Sequence, residues 1–358
     1  MKRRIGILTS GGDCPGLNAA IRGVARASYE LFDAEFVGIA DGYKGLIEGD
    51  YRDMTENDFK GILTLGGTIL GTSRRPYRNM RKIEEDNVNK VEAMKANYRK
   101  MKLDCLVTLG GTGTHKTANL LAGEGLNVIG LPKTIDNDIW GTDVTFGFHT
   151  AVDIATDVVD RIHTTANSHG RVMVIELMGN KAGWLTLYAG VSGGADIILL
   201  PEIPFDLDKV IAMVEKRTKE RQRSFSIIAI AEGAFRQDES SLKRKERLAR
   251  LKEHNYPSTA YQLADQIQGQ TGLETRVVVP GHYQRGGSPS PYDRLLATQF
   301  GVYAANLIKD ENYGQTVAML GGKVGHNPLR EIAGKTKLVP PDHQIVQAAR
   351  DMGVSFGE

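Results

Sequence analysis

The stretch Ile5-Gly6-Ile7-Leu8-Thr9-Ser10-Gly11-Gly12-Asp13 decides the class of fold. A short apolar run meets a glycine turn, and helix-compatible residues follow from about Leu17 to Leu31. The run is continuous rather than alternating, which is how a strand buried on both faces reads. The same order recurs at Cys105-Leu106-Val107-Thr108-Leu109, followed by Gly110-Gly111-Thr112-Gly113-Thr114 and a helix from about His115. Further apolar runs at 128–131, 172–175, 197–200, 227–230 and 277–279 stop at proline or glycine turns. Buried strands alternating with helices predict doubly wound α/β sheets, and the number of strands predicts two such layers. Ligands in that architecture sit beyond the carboxyl ends of the strands.

The composition agrees with a globular chain. Of 358 residues, 25% are charged and 41% hydrophobic, so wholesale disorder is excluded. Lys and Arg number 45 against 43 Asp and Glu, which leaves no global field to draw the chain to nucleic acid or a membrane. The basic segments around Lys216 and Lys243 are interleaved with Glu220 and Glu246 and lack aromatic stacking partners, so they read as solvated helix faces. Two cysteines, Cys14 and Cys105, are too few for a disulfide scaffold or a structural zinc site. The amino-terminal apolar run is too short for a signal peptide, and no later run reaches spanning length. The expectation is a soluble cytoplasmic protein.

Two loops offer bare backbone N–H groups and a helix start to an anion: Ser10 to Gly16, and Gly110 to Thr114. Neither matches a Walker A loop or the dinucleotide fingerprint, and either one alone reads equally as a tight strand-to-helix turn. Gly66 to Arg75 ends in two guanidinium groups suited to phosphate, or else is a solvated charged loop. Pro132-Lys133-Thr134-Ile135-Asp136-Asn137-Asp138 places two carboxylates, an amide and a hydroxyl just past a buried strand. That set can hold magnesium and supply a general base, or it can simply turn the chain. His115 and Lys116 either reach a phosphate or are solvated first-turn residues; the position of Lys116 at the loop favours phosphate. His163 and His169 lack metal-ligand spacing.

GGDCPGLNAAIRG, GGTGT, PKTIDND, MGN followed by AGW, PEIPF, AEG and GHYQRGG occur in the order seen in 6-phosphofructokinases. The chain resembles that family, bacterial type, from about Ile5 to Met319. The resemblance implies two Rossmann-like α/β domains with the active site in the cleft between them. It places residues 1–147 plus about 284–334 in a larger, donor-binding domain, and about 148–283 plus 335–358 in a smaller, sugar-phosphate domain. It implies phosphorylation of D-fructose 6-phosphate at the C1 hydroxyl by ATP, with Mg2+. Asp136 is then the base, and Thr134 and Asp138 flank the transferring phosphoryl group. Gly12, Arg74, Gly111, Thr112, Gly113, Thr114 and Lys133 hold the donor. Thr134, Asp136, Arg171, Met178, Gly179, Glu232, Arg276, His282 and Arg285 meet the sugar phosphate, and Arg171 also acts in catalysis. Asp136 and Asp138 are the metal ligands. In the family Arg171 and Arg276 act across a subunit boundary, which implies a homo-oligomer, dimer or tetramer. Arg22, Arg26, Arg221 and Arg223 fall where bacterial members place an allosteric nucleotide or phosphoenolpyruvate site.

Three positions depart from the best-known ATP-using bacterial enzymes of the family. Thr112 replaces a magnesium-binding aspartate, Lys133 replaces glycine, and Asn180 replaces an arginine. Gly113 is the ATP-type residue, since pyrophosphate users carry an aspartate that crowds the α-phosphate. Lys133 is shared by pyrophosphate users and some ATP users. A pyrophosphate-dependent enzyme is therefore the first alternative. A non-catalytic sugar-phosphate or nucleotide sensor, suggested by Thr112, is the second. The same chemistry on another sugar, such as sedoheptulose 7-phosphate, is a third.

Overall fold

The computed structural model describes residues 2–83, 88–220 and 225–358. Among these residues the strands are β1 (Arg3–Ser10), β2 (Ala34–Ile39), β3 (Tyr51–Met54), β4 (Cys105–Gly110), β5 (Val128–Pro132), β6 (Val172–Leu177), β7 (Ile197–Leu199), β8 (Ser226–Ala231), β9 (Thr275–Val278), β10 (Gln315–Leu320) and β11 (Lys323–Pro328). The chain divides into two compact units, Met1–Thr150 with Arg285–Lys337, and Ala151–Gln284 with Leu338–Glu358.

The first unit holds a seven-stranded sheet in the order β11-β10-β5-β4-β1-β2-β3. Its five inner strands run parallel, while β3 and β11 pair antiparallel at the edges. The chain leaves β1 toward β2 and returns on the other side through β4, so β1 and β4 flank a topological switch point. The second unit holds four parallel strands in the order β7-β8-β6-β9. The apolar runs read from the sequence fall in β1, β4, β5, β6, β7, β8 and β9. Four strands, β2, β3, β10 and β11, escaped that reading; the two at the edges are partly solvated and carry no continuous apolar run, since β3 reads Tyr-Arg-Asp-Met and β11 is largely half-buried.

The first helix spans Leu17–Leu31 and buries Leu17, Ile21 and Val24 at helical spacing. It packs against the helix Pro291–Lys309, which starts with Pro at its first turn and with Ser290 accepting from the Asp293 amide. The two backbones nearly touch. A Cβ on Gly301 would lie 2.5 Å from the Ala20 carbonyl oxygen, and one on Gly23 would lie 2.8 Å from that of Thr298. The carboxylate of buried Asp293 ties this helix to the chain before it, accepting from the amides of Gly147 at 2.9 Å and Thr150 at 2.7 Å. Among the described residues no helix is long and apolar enough to cross a membrane.

The crossing gives a stability prediction. Gly301→Ala forces the two helices apart and destabilises the first unit by about 1–3 kcal/mol, the usual range for overpacking. Urea denaturation reads the change directly, and an unchanged midpoint would reject the close approach as a constraint.

Candidate active site

The carboxyl ends of β1, β4 and β5 lie side by side, because Ser10 pairs with Gly110 and Gly110 pairs with Pro132. Three loops therefore meet at the switch point. The Gly11 amide donates to the Ser73 carbonyl at 3.1 Å, and the Thr72 hydroxyl donates to the Gly11 carbonyl at 2.7 Å. Gly11 has φ +88°, a conformation glycine adopts at little cost. At Gly12 even a methyl group would intrude on cations: its Cβ would lie 2.9 Å from Arg285 Nη1 and 3.2 Å from Arg74 Nη2.

Lys133 joins these two arginines. It is 3% exposed, and its Nζ donates to the Gly12 carbonyl. Burial lowers its pKa, with the Arg285 charge adding to the shift and Asp13 and Asp136 opposing it. Arg285 reaches the Asp13 carbonyl at 3.2 Å, while its buried Nε has no hydrogen-bond partner. Cations brought together at a glycine turn, Lys133 buried and Arg74 exposed, are stabilised by a bound anion.

The helix after β4 spans Thr112–Gly123, so it begins three residues earlier than the sequence suggests. The amides of Thr112, Gly113 and Thr114 form its open first turn. Gly113 is exposed, lacks a positive φ, and a Cβ there would meet nothing within 4 Å. The Thr114 side chain turns inward instead, donating to the Ser10 carbonyl at 3.3 Å, which leaves only its backbone for a ligand.

His115 corrects an expectation. It is 1% exposed and sits behind the loop rather than reaching a phosphate. Its neutral ring donates from Nδ1 to the Gly111 carbonyl at 3.0 Å and accepts at Nε2 from the Thr316 hydroxyl at 2.8 Å. Burial pushes its pKa down from 6.5 to about 4, against the Gly111 hydrogen bond and with help from the Lys133 charge. Lys116 is half-buried.

Beyond β5, Thr134 is 9% exposed and its hydroxyl accepts from the Asp136 amide at 3.1 Å. Asp136 and Asp138 are half-buried on either side of buried Asn137. The Thr112 hydroxyl lies 3.5 Å from Asp138 Oδ2, so the residue in the usual metal-ligand position does adjoin the carboxylate turn. Among the described residues no group of three or more His, Cys, Asp and Glu side chains could hold a metal. Mg2+ characteristically takes one or two carboxylates and completes its shell with water and substrate phosphates, so the Asp136 and Asp138 pair suits it.

The second unit carries its expected residues in two groups. At the carboxyl end of β6, the Gln284 side chain accepts from the Met178 amide at 3.2 Å and donates to the Gly281 carbonyl at 3.1 Å. The Glu232 amide donates to the Leu177 carbonyl at 2.9 Å, and Gly233 approaches the Asn180 carbonyl so closely that no side chain fits. Exposed His282 lies on the Gly281–Arg285 3-10 turn with Gln284. Arg171 precedes β6, and Arg276 pairs with Met173 near the start of that strand. These two arginines are thus at the opposite end of the sheet, about 16–23 Å along β6 from Met178. Glu274 joins them, with Oε2 at 2.9 Å from Arg171 Nε and Oε1 at 2.5 Å from Arg276 Nη2.

Glu274 and Gln284 contact the candidate residues but were not marked by the sequence. The only sequence signal for Glu274 was a carboxylate two positions from Arg276, and Gln284 was hidden inside the GHYQRGG motif. Arg22 is half-buried and Arg26 exposed, one turn apart on the helix Leu17–Leu31. Arg221 and Arg223 lie outside the described residues.

Glycine loops, three cations and a carboxylate turn at adjoining ends of parallel strands define an α/β protein built to handle phosphate. The phosphofructokinase family model matches residues 4–308, and the chain belongs to that family. It is 58% identical to the ATP-dependent 6-phosphofructokinase of Spirochaeta thermophila, over 99% of this chain and 98% of the relative. It is 44% identical to the pyrophosphate–fructose 6-phosphate 1-phosphotransferase of Amycolatopsis methanolica, over 95% of this chain and 97% of the relative. The phosphofructokinase structure from Saccharomyces cerevisiae matches with TM-score 0.78 and 31% identity, over 92% of this chain and 45% of that one. This chain therefore spans under half of that yeast subunit.

The buried imidazole sets a pH dependence. In the unfolded chain His115 binds a proton near pH 6.5, whereas in the fold it does so only near 4. Stability from this group is therefore present above pH 6.5 and is lost as pH falls toward 4. Thermal melts across that window will show a shallower slope for His115→Gln than for the parent. Equal slopes would remove His115 as the cause.

Proposed function

We propose that this chain transfers the terminal phosphoryl group of ATP to the C1 hydroxyl of D-fructose 6-phosphate, giving fructose 1,6-bisphosphate and ADP, a step of glycolysis in the cytoplasm. The observation that carries the reading is the meeting of Arg74, Lys133 and Arg285 at Gly12, beside the turn that bears Asp136. The relatives at 58% and 46% identity from Spirochaeta thermophila and Bacteroides thetaiotaomicron are named ATP-dependent enzymes, which supports ATP as donor.

Asp136 accepts the proton of the C1 hydroxyl while that oxygen bonds to the γ-phosphorus and the bond to ADP breaks. Phosphoryl transfer is largely dissociative, so the base works late and its pKa need not be high. Arg74, Lys133 and Arg285 offset charge on the transferring oxygens, and the Thr112–Thr114 amides hold the donor. Asp136 and Asp138 would hold Mg2+, which when bound neutralises charge on the donor's phosphates.

Met178, Gly179, Glu232 and His282 contact the sugar, and Arg171 and Arg276 take its 6-phosphate. One chain holds that arginine pair at the far end of β6 from Met178 and Glu232. This separation supports a homo-oligomer, dimer or tetramer, in which a second copy of the chain supplies Arg171 and Arg276. Arg22 and Arg26 are assigned to an allosteric anion site.

Gly113 selects the donor. Its exposed position and open surroundings leave room for an α-phosphate and nucleoside, and no positive φ demands glycine there. Gly113→Asp is expected to leave the melting temperature unchanged while raising the ATP KM sharply, through repulsion and bulk at the α-phosphate. Pyrophosphate should be less affected. An unchanged ATP KM would reopen the donor, and turnover of the parent with pyrophosphate and none with ATP would overturn ATP itself.

The base is tested by Asp136→Asn, an isosteric change that leaves the phosphate contacts in place. Turnover should fall by ~10²–10⁴-fold in kcat with little change in KM. Near-normal kcat would exclude Asp136 as the base.

A further inference from the structure

The turn that carries Asp136 and Asp138 has an awkward backbone. Asn137 between them has φ +50°, a left-handed conformation unfavourable for a residue with a side chain, though Asn tolerates it better than most. Such a conformation persists only where the surroundings overdetermine it. Part of the bracing is local: Asn137 Oδ1 accepts from the Thr145 amide at 3.1 Å, and the Thr145 hydroxyl donates to the Thr134 carbonyl at 2.7 Å.

The rest comes from residue 337, two hundred positions away in the chain. Lys337 Nζ donates to Asn137 Oδ1 at 2.9 Å, to the Thr142 carbonyl at 2.8 Å and to the Asp143 carbonyl at 2.9 Å. An ammonium group has three protons, and each of these acceptors can take one. The Lys337 backbone amide adds a bond to the Asp138 carbonyl at 2.9 Å, and Thr336 bridges Ile139. Lys337 thus grips both sides of the turn, Asn137 and Asp138 on one and 142–143 on the other. Burial of the ammonium lowers its pKa to about 8, with Asp143 and Asp138 opposing the shift, so the group sits where water competes poorly for its donors.

We propose that Lys337 is a positioning residue for the reaction: its ammonium locks Asn137 in the left-handed conformation and so sets the directions of the Asp136 and Asp138 carboxylates. The proposal rests on the reading of Asp136 as the base. Lys337 acts through Asn137 and the 142–143 backbone, and its charge also faces Asp138. A neutral, apolar side chain of similar length would take their shared donor from three acceptors, one of them on buried Asn137, and free the turn to relax. Misplacing a reacting group by about an ångström can cost ~10²-fold in rate.

The test compares the parent with Lys337→Met and Lys337→Arg, assayed below their melting temperatures with folding checked by near-ultraviolet circular dichroism. Lys337→Met should lose ~10- to 100-fold in kcat, with the KM values for ATP and fructose 6-phosphate changed less than about threefold. Lys337→Arg keeps the charge but presents a planar fork in place of three tetrahedral donors, so it should fold and still lose kcat. If Lys337→Met does not fold, the arginine variant decides. A purely architectural lysine would lower the melting temperature and leave kcat per folded molecule unchanged, and that result overturns the proposal. Failure of the parent to phosphorylate fructose 6-phosphate is a separate outcome, which removes the proposed function and this role with it.

Discussion

Parallel pairing of β1, β4 and β5 holds Ser10 beside Gly110 and Gly110 beside Pro132, and the site depends on that register. The Gly11–Gly12 turn, the amides of Thr112 to Thr114, and the Asp136 turn all begin at those three strand ends. A slip of one residue in any pairing would displace its loop by about 3.3 Å and turn its buried side chains to the wrong face. The segment at 72–75 enters the same arrangement through the bonds of Thr72 and Ser73 to Gly11, with the Ser73 hydroxyl also donating to the Asp41 carbonyl at 2.6 Å, and this brings Arg74 to the loop. Gly23 and Gly301 serve the same end at the level of helices, because their bare backbones let the helix that follows the Gly12 loop pack closely against its neighbour.

The treatment of charge distinguishes architecture from chemistry. Asp293 is a fully buried carboxylate whose oxygens accept from two amides and from the Thr150 hydroxyl at 2.6 Å. Burial raises its pKa while those donors oppose the shift, so the group is spent on structure. At Gly12 the arrangement is reversed. Lys133 and Arg285 donate to the carbonyls of Gly12 and Asp13, Arg74 reaches the same turn, and burial of Lys133 lowers its pKa. The rest of the unit's packing holds that imbalance in place, which is the arrangement the proposed donor site requires. In the second unit Glu274 occupies Arg171 and Arg276 together, so these arginines carry their own counter-charge at the end of β6 remote from Met178.

Seven of the strands and the helix Leu17–Leu31 were legible because buried parallel strands and an amphipathic helix leave period and composition marks. The glycine turns after β1 and β4 and the PKTIDND turn were legible as turns because their residues lie close together in sequence. His115 misled for a physical reason: a histidine at a helix start next to a glycine loop has the same neighbours in sequence whether it faces solvent or the core. Only its burial against Thr316, two hundred residues on, separates the two. Lys337, Gln284 and Glu274 were silent because each acts through partners chosen by packing, and an isolated lysine, glutamine or glutamate carries no mark of its partners.

The sequence by itself determined the class of fold, the order of the loops along the chain and the residue types available for phosphate, because backbone conformation and burial pattern are local properties. Tertiary structure decided which of those residues meet. It put Arg285 and Arg74 at Gly12, turned Thr114 and His115 inward, fastened Lys337 to Asn137, and set Arg171 and Arg276 apart from Glu232. The reason is that hydrogen bonds and ion pairs form between neighbours in space, and strand register together with helix packing, rather than chain order, sets which residues become neighbours.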